Sequence, residues 1–113
     1  MDKDGYPEDN ELQTISDWNI TKNPVIDLLE YIRDRWQFAN YGYFDLSGKR
    51  VLRLRMSTGG WSGNESIIKA MQRNWIFWTM YWQQSKRGGH FWFRIPTKKR
   101  INKNVANPTE PGS

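Results

Sequence analysis

The residues best placed to do chemistry are Ser57-Thr58-Gly59-Gly60-Trp61-Ser62-Gly63-Asn64-Glu65, a glycine-rich run between a strand-like and a helix-like stretch. Its glycines admit unusual backbone angles and let a ligand approach the main chain, and Ser62 and Glu65 stand at the S-x-x-E spacing of a capping box. That spacing predicts a helix starting near Gly63. A helix start after such a turn presents unpaired N–H groups and the positive end of the dipole, a setting that favours phosphate or carboxylate. The plainer reading is a chain reversal with a capping serine and no ligand. No Lys-Ser/Thr pair follows the glycines, which excludes a Walker A loop. The order G-x-G-x-x-G and a surrounding βαβ unit are also missing, which excludes a dinucleotide fingerprint. A second glycine turn, Arg87-Gly88-Gly89-His90, offers a guanidinium and an imidazole that could hold an anion together with the first.

Catalysis finds little support. His90 is the single histidine, so a paired-histidine metal site is excluded, and no G-x-S-x-G elbow is present. Glu65 and His90 could form an acid–base pair, but a helix-start glutamate and a hydrogen-bonding histidine explain them more simply. No catalytic residue, metal or cofactor is therefore assigned. The chain has no cysteine, which rules out a disulfide framework, a thiolate zinc site and a cysteine nucleophile, and suits a reducing compartment.

The elements that must position these groups follow from periodicity. In residues 50–56, Leu52, Leu54 and Met56 alternate with Arg53 and Arg55, so one face is core and the other carries guanidinium groups. With residues 42–46 and the Ser47-Gly48-Lys49 turn this makes a hairpin. Residues 75–83 are too aromatic to alternate visibly and read as a strand in preference to a helix. The reason is the turn signal at residues 85–89, followed by the clean alternation of residues 90–95 before Pro96. There Phe91, Phe93 and Ile95 face the core, and His90, Trp92 and Arg94 face away. Helices are expected over residues 10–17 behind an Asp9 cap and over residues 24–37 behind Asn23-Pro24, where Val25, Leu28, Leu29, Ile32 and Trp36 recur at helical spacing. A third covers residues 65–73, with Ile67, Ile68 and Met71 as its packing stripe. The order predicts an α+β fold: two amino-terminal helices, then β-β-α-β-β with a mostly antiparallel four-stranded sheet packed on helices.

A length of 113 residues suits one small domain. Residues 1–8 read as a flexible acidic start, 9–96 as the domain, and 97–113, with Lys98, Lys99, Arg100 and Lys103, as a basic disordered tail. Seven Trp, five Tyr and five Phe supply a large buried area without disulfides. The net charge of +5 is concentrated in the second half and favours anionic partners. The acidic amino terminus does not resemble a signal peptide, and no apolar run approaches the roughly 20 residues of a membrane span, so a soluble, membrane-free protein is expected. The sheet face away from the core would gather Arg53, Arg55, His90, Trp92, Arg94 and one aromatic row of residues 75–83. Rings stack on bases for about 1–3 kcal/mol each and guanidinium groups pair with phosphates. The same face would equally serve as a homodimer seam or a partner-protein interface.

The motifs Ser57-Thr58-Gly59-Gly60-Trp61-Ser62-Gly63-Asn64-Glu65, Phe77-Trp78, Trp82-Gln83 and Arg87-Gly88-Gly89-His90-Phe91-Trp92-Phe93 together resemble a family of small proteins common in bacteriophage and prophage genomes. The likeness spans roughly residues 41–95 and implies origin, not activity. It also implies that the two glycine turns form one site in the host cytoplasm. The expectation is a non-enzymatic phage accessory protein that binds an anionic, nucleotide-like ligand through residues 57–65, Arg87, Gly88, Gly89, His90, Trp92, Arg53 and Arg55. Such a protein could counter host defence by sequestering a signal. The rivals are a module that blocks a host defence protein, a single-stranded nucleic-acid binder, and a hydrolase or transferase built on Glu65 and His90.

Overall fold

The computed structural model describes residues 1–38 and 42–96. In chain order these form α1 (Asp9–Asp17), α2 (Val25–Arg33), β1 (Tyr43–Ser47), β2 (Val51–Ser57), α3 (Ser62–Arg73), α4 (Trp75–Tyr81), β3 (Trp82–Lys86) and β4 (His90–Pro96). The basic tail of residues 97–113 lies outside the described residues.

The alternation in β2 builds the sheet. Strand β1 returns along it through the Ser-Gly turn, with Phe44 opposite Met56 and Leu46 opposite Leu54. On its other side β2 pairs with β4, with Leu54 opposite Phe93 and Leu52 opposite Ile95. Strand β3 closes the far edge, so the order is β1-β2-β4-β3, antiparallel throughout. The expected α+β architecture is present, with both hairpins in one sheet.

All the apolar side chains of one sheet face meet the helices. Leu54, Met56, Phe93 and Ile95 pack with Ile15 of α1, Leu28, Leu29 and Ile32 of α2, Ile67, Ile68 and Met71 of α3, and Phe77 of α4. A single layer of helices thus covers a single face, and among the described residues no helix covers the opposite one.

The strand expected over residues 75–83 is a helix followed by a short strand. Asn74 explains the difference. It ends α3 and also starts α4, its side chain accepting the Phe77 N–H at 3.3 Å while donating to the carbonyls of Ile15 (3.0 Å) and Trp18 (2.8 Å). From that fixed start Phe77, Trp78 and Tyr81 fall on one helical side, where Phe77 meets Phe93 at 5.7 Å and Trp78 meets Phe93 edge-on at 5.3 Å. Packing against β4 overrides the weak helix preference of aromatic residues.

Helix α2 stops at Arg33, short of the expected Gln37. The turn tightens there through Arg35 N–H to Ile32 and Trp36 N–H to Arg33 carbonyl bonds. This frees Trp36 to enter the core and to donate its indole N–H to the Ser57 carbonyl at 3.2 Å. At α1 the cap is Glu8, one residue before the expected Asp9, in a reciprocal box with Glu11. Residues 1–8 close a turn in which Asp2 accepts from the Asp4 and Tyr6 N–H groups.

Candidate ligand-binding face of the sheet

The glycine-rich run lies where expected, between β2 and α3, but Ser57, Thr58 and Asn64 are turned inward and only Ser62 and Glu65 of its polar side chains are exposed. Helix α3 begins at Ser62 with Trp61 as the cap residue, and no side chain caps it, so Ser62 and Glu65 do not form the expected box. Glu65 stands exposed on α3, its N–H on the Trp61 carbonyl. Besides that of Glu65, three more of the run's N–H groups are already used within it. Gly59 N–H reaches Ser57 Oγ (3.3 Å), Gly60 N–H reaches Thr58 Oγ1 (3.3 Å) and Trp61 N–H reaches the Thr58 carbonyl (3.1 Å). Ser57, Thr58, Gly63 and Asn64 are buried. Asn64 exchanges bonds with the backbone of Gln37, accepting its N–H at 2.9 Å and donating to its carbonyl at 3.0 Å, and also donates to the Thr58 carbonyl at 3.2 Å. Trp61 is stacked on Tyr6, ring centroids 4.6 Å apart, and its ring lies so close over Gly63 that a Cβ there would collide with it.

The two glycine turns do come together. Thr58 N–H donates to the Gly89 carbonyl at 3.0 Å, and a Cβ on Gly89, whose φ is +78°, would run into Thr58 Oγ1. Only glycine serves there, on both sterics and backbone. This junction anchors the start of β4 and with it His90. Arg87 and Gly88 stand exposed at the tip of the turn.

The open sheet face carries the remaining candidates. Across the strands, Tyr43 opposes Ser57, which opposes His90, which opposes Lys86. The next row runs Asp45, Arg55, Trp92, Gln84, and the one after it Ser47, Arg53, Arg94. Tyr43 and His90 lie 6.3 Å apart by ring centroid, with the Tyr43 hydroxyl 3.4 Å from His90 Nδ1, and His90 lies 6.2 Å from Trp92. Cations flank both ends of this run of rings. The Arg55 guanidinium stands 5.6 Å from the Tyr43 ring, and Lys86 Nζ stands 5.6 Å from that of Trp92. Arg55 also donates to Asp45 at 3.0 Å, and that bond raises its pKa further above the ordinary range. Arg53 and Arg94 are exposed and directly opposite each other in the ladder. Like charges so placed repel across a sheet. Among the described residues Asp45 is the one acid of these three rows.

The structure therefore brings Arg53, Arg55, His90, Trp92 and Arg94 onto one sheet face, the grouping that strand alternation predicts. It separates them from Trp61, which Tyr6 covers, and from the aromatic row of residues 75–83, which lies in α4 on the helical side. Sequence reasoning missed Tyr43, Asp45 and Lys86. The signal for the first two was the parity of β1, since in a hairpin that pairs Phe44 and Leu46 with core residues, Tyr43 and Asp45 must share the face of Arg55. Among the described residues no group of three or more acidic or histidine side chains gathers as a metal site, and no helix is long and apolar enough to cross a membrane.

Fold and face together define an α+β protein with one sheet surface shielded by helices and the other set with cations and separate rings. Comparison with protein-family models, with curated proteins and with solved structures finds no match in any of the three.

Proposed function

We propose that this chain is a non-enzymatic binding protein that lays a short single-stranded nucleic acid across the open face of its sheet. The observation that supports this most is the Arg53–Arg94 pair, two exposed guanidinium groups opposed in register beside the rings of Tyr43, His90 and Trp92. Such a pair costs stability unless an anion bridges it. From His90 to Arg94 the face extends roughly 13 Å along the strands, and across its three innermost columns roughly 10 Å, more than one nucleotide needs. The rings are spaced wider than the ~3.4 Å of stacked bases, so each suits a separate, unstacked base. In this reading the rings take bases, Arg53, Arg94, Arg55 and Lys86 take phosphates, and the 57–65 loop holds the β2 and β4 ends in place. The resemblance to small phage proteins extends the reading to counter-defence, with a host-made nucleic-acid signal as the ligand class.

Fluorescence anisotropy of labelled oligonucleotides of about 8–12 residues tests the reading, within the ~4–16 nucleotide site sizes of comparable surfaces. Saturable binding is expected, with Trp92→Ala and Arg53→Ala each weakening it by about tenfold, the scale of one stack or one charge-assisted bond. Competition by a mononucleotide at equal concentration would replace the strand by a single nucleotide as ligand. Absence of binding to any strand or nucleotide at moderate salt overturns the proposal.

A further inference from the structure

A second surface, on the other side of the molecule, carries an inference that does not depend on the ligand. Helix α4 buries Phe77 and half-buries Trp78 and Tyr81, but its remaining side turns Trp75, Ile76, Thr79 and Met80 outward. Trp75 is 69% exposed, Met80 61% and Ile76 40%. Trp82, the first residue of β3, extends this patch at 41% exposure, stacked on Trp78 at 6.1 Å. It pairs in register with core-facing Phe93, so it belongs to the helical side of the edge strand. Isolated exposed apolar residues need no explanation, but a contiguous tryptophan-rich patch marks an interface.

Three observations identify the occupant. First, α4 contains no charged residue, and the two charges that border Trp75 and Ile76, Asp17 and Arg73, are of opposite sign, so the patch has no net charge with which to select an acidic or basic partner and suits another apolar surface. The chain as a whole carries +5, and a neutral patch is where two such copies can meet with least repulsion. Second, Trp75, Ile76, Met80 and Trp82 leave on the order of 450 Å² of apolar surface open, taking ~150–250 Å² for a large aromatic side chain. Doubled by a two-fold axis, that supplies the apolar centre of an interface of the standard ~1,200–2,000 Å². Third, the neighbouring strand edge is poorly suited to main-chain pairing. The register of β3 shifts between Trp82 and Gln84, and Lys86 stands at its end, both of which blunt an edge. Association therefore runs through α4 side chains and not through an extended sheet.

We propose that the outward face of α4, with Trp82, is the seam of a symmetric homodimer of this chain. The dimer leaves the cationic sheet face open on both copies.

Sedimentation velocity of the full chain over a concentration series of about 1 to 100 µM, since the dimer population follows protomer concentration, tests it. The expected species has twice the 13.5 kDa of one chain. Met80→Glu and Trp75→Glu, each at an exposed position, are expected to return the monomer mass, with the far-UV circular dichroism and thermal midpoint of the monomeric domain retained. Trp92→Ala, on the sheet face, is expected to leave the dimer intact. A monomer at every concentration overturns the proposal. So does a dimer that survives both glutamate substitutions, or one that Trp92→Ala dissolves, since that would place the seam on the sheet face.

Discussion

Glu11 shows how much of this small domain rests on single polar residues. Its carboxylate is 7% exposed yet meets three donors: the Glu8 N–H at 2.9 Å, the Met1 amine at 2.8 Å and Arg35 Nε at 2.7 Å. Burial alone raises its pKa, but the bonds from Glu8, the amine and Arg35 together outweigh burial and bring it from 4.5 to about 2. A folded-state pKa below the unfolded value means that the stabilisation is complete above about 4.5 and is lost as pH falls from there toward 2. Glu11→Gln is expected to lower stability at neutral pH by on the order of 2 kcal/mol, allowing for solvent screening at the Met1 amine. It should also flatten the acid limb of the stability curve. Urea unfolding across that pH range checks this, and an unchanged acid limb in the variant would refute it. Nothing in the sequence marks Glu11 out from the other acids of the first turn. Its pairing with Arg35 joins residues far apart in the chain, and periodicity does not report such contacts. Tyr43 is the opposite case, since its place beside Arg55 was implicit in the strand alternation.

At the scale of elements, what was legible is what two periods encode. The β2 and β4 alternation located both faces of the sheet, and the three-and-four spacing located α1, α2 and α3. The 75–83 stretch defeated both rules because aromatic residues satisfy a buried strand and a buried helix alike. The deciding contact lies outside the stretch. Asn74 ties the start of α4 to the end of α1 through the Ile15 and Trp18 carbonyls; the Ile15 carbonyl also accepts the Trp18 N–H at 3.3 Å, so Asn74 adds a second bond there and supplies a donor to Trp18 at the helix end. Asn74→Ala is expected to cost about 2–3 kcal/mol, the sum of a lost N-cap, the Trp18 carbonyl left without its Asn74 donor and one of the two bonds at the Ile15 carbonyl. That corresponds to a fall in thermal midpoint of about 10 °C or more. Asn74→Ser, which keeps an acceptor for the Phe77 N–H and loses the donors, should fall between. Thermal unfolding followed by circular dichroism checks the ranking, and a serine variant no better than alanine would remove the capping part of the argument. The glycine run taught a related lesson. Its chemistry was legible as anion-ready, but Gly59 and Gly60 spend their N–H groups on the Ser57 and Thr58 hydroxyls and Trp61 spends its own on the Thr58 carbonyl, and local competition of that kind is invisible in spacing alone.

For the whole molecule, the consequence of one helical layer on a four-stranded sheet is a division of labour between faces. The apolar rows of β1, β2 and β4 are consumed by the core, and the polar rows are left to face solvent with Arg53, Arg55, Arg94 and Lys86 around Tyr43, His90 and Trp92. If a strand lies across those rows, about three to four phosphates meet cations. Each phosphate met on a single strand contributes ~0.7 to the slope of log affinity against log salt, so the expected slope is about −2 to −3, or a loss of about 15- to 60-fold between 50 and 200 mM salt. Two substitutions then separate the roles. Arg94→Ala is expected to reduce the slope by about 0.7, whereas Trp92→Ala is expected to weaken binding with the slope unchanged, because a stacked ring displaces no counterion. A slope near zero alongside tight binding would mean that the ligand makes few phosphate contacts, and the opposed arginines would then need another explanation. Equal slopes in Arg94→Ala and the parent would place the strand away from the β2–β4 ladder.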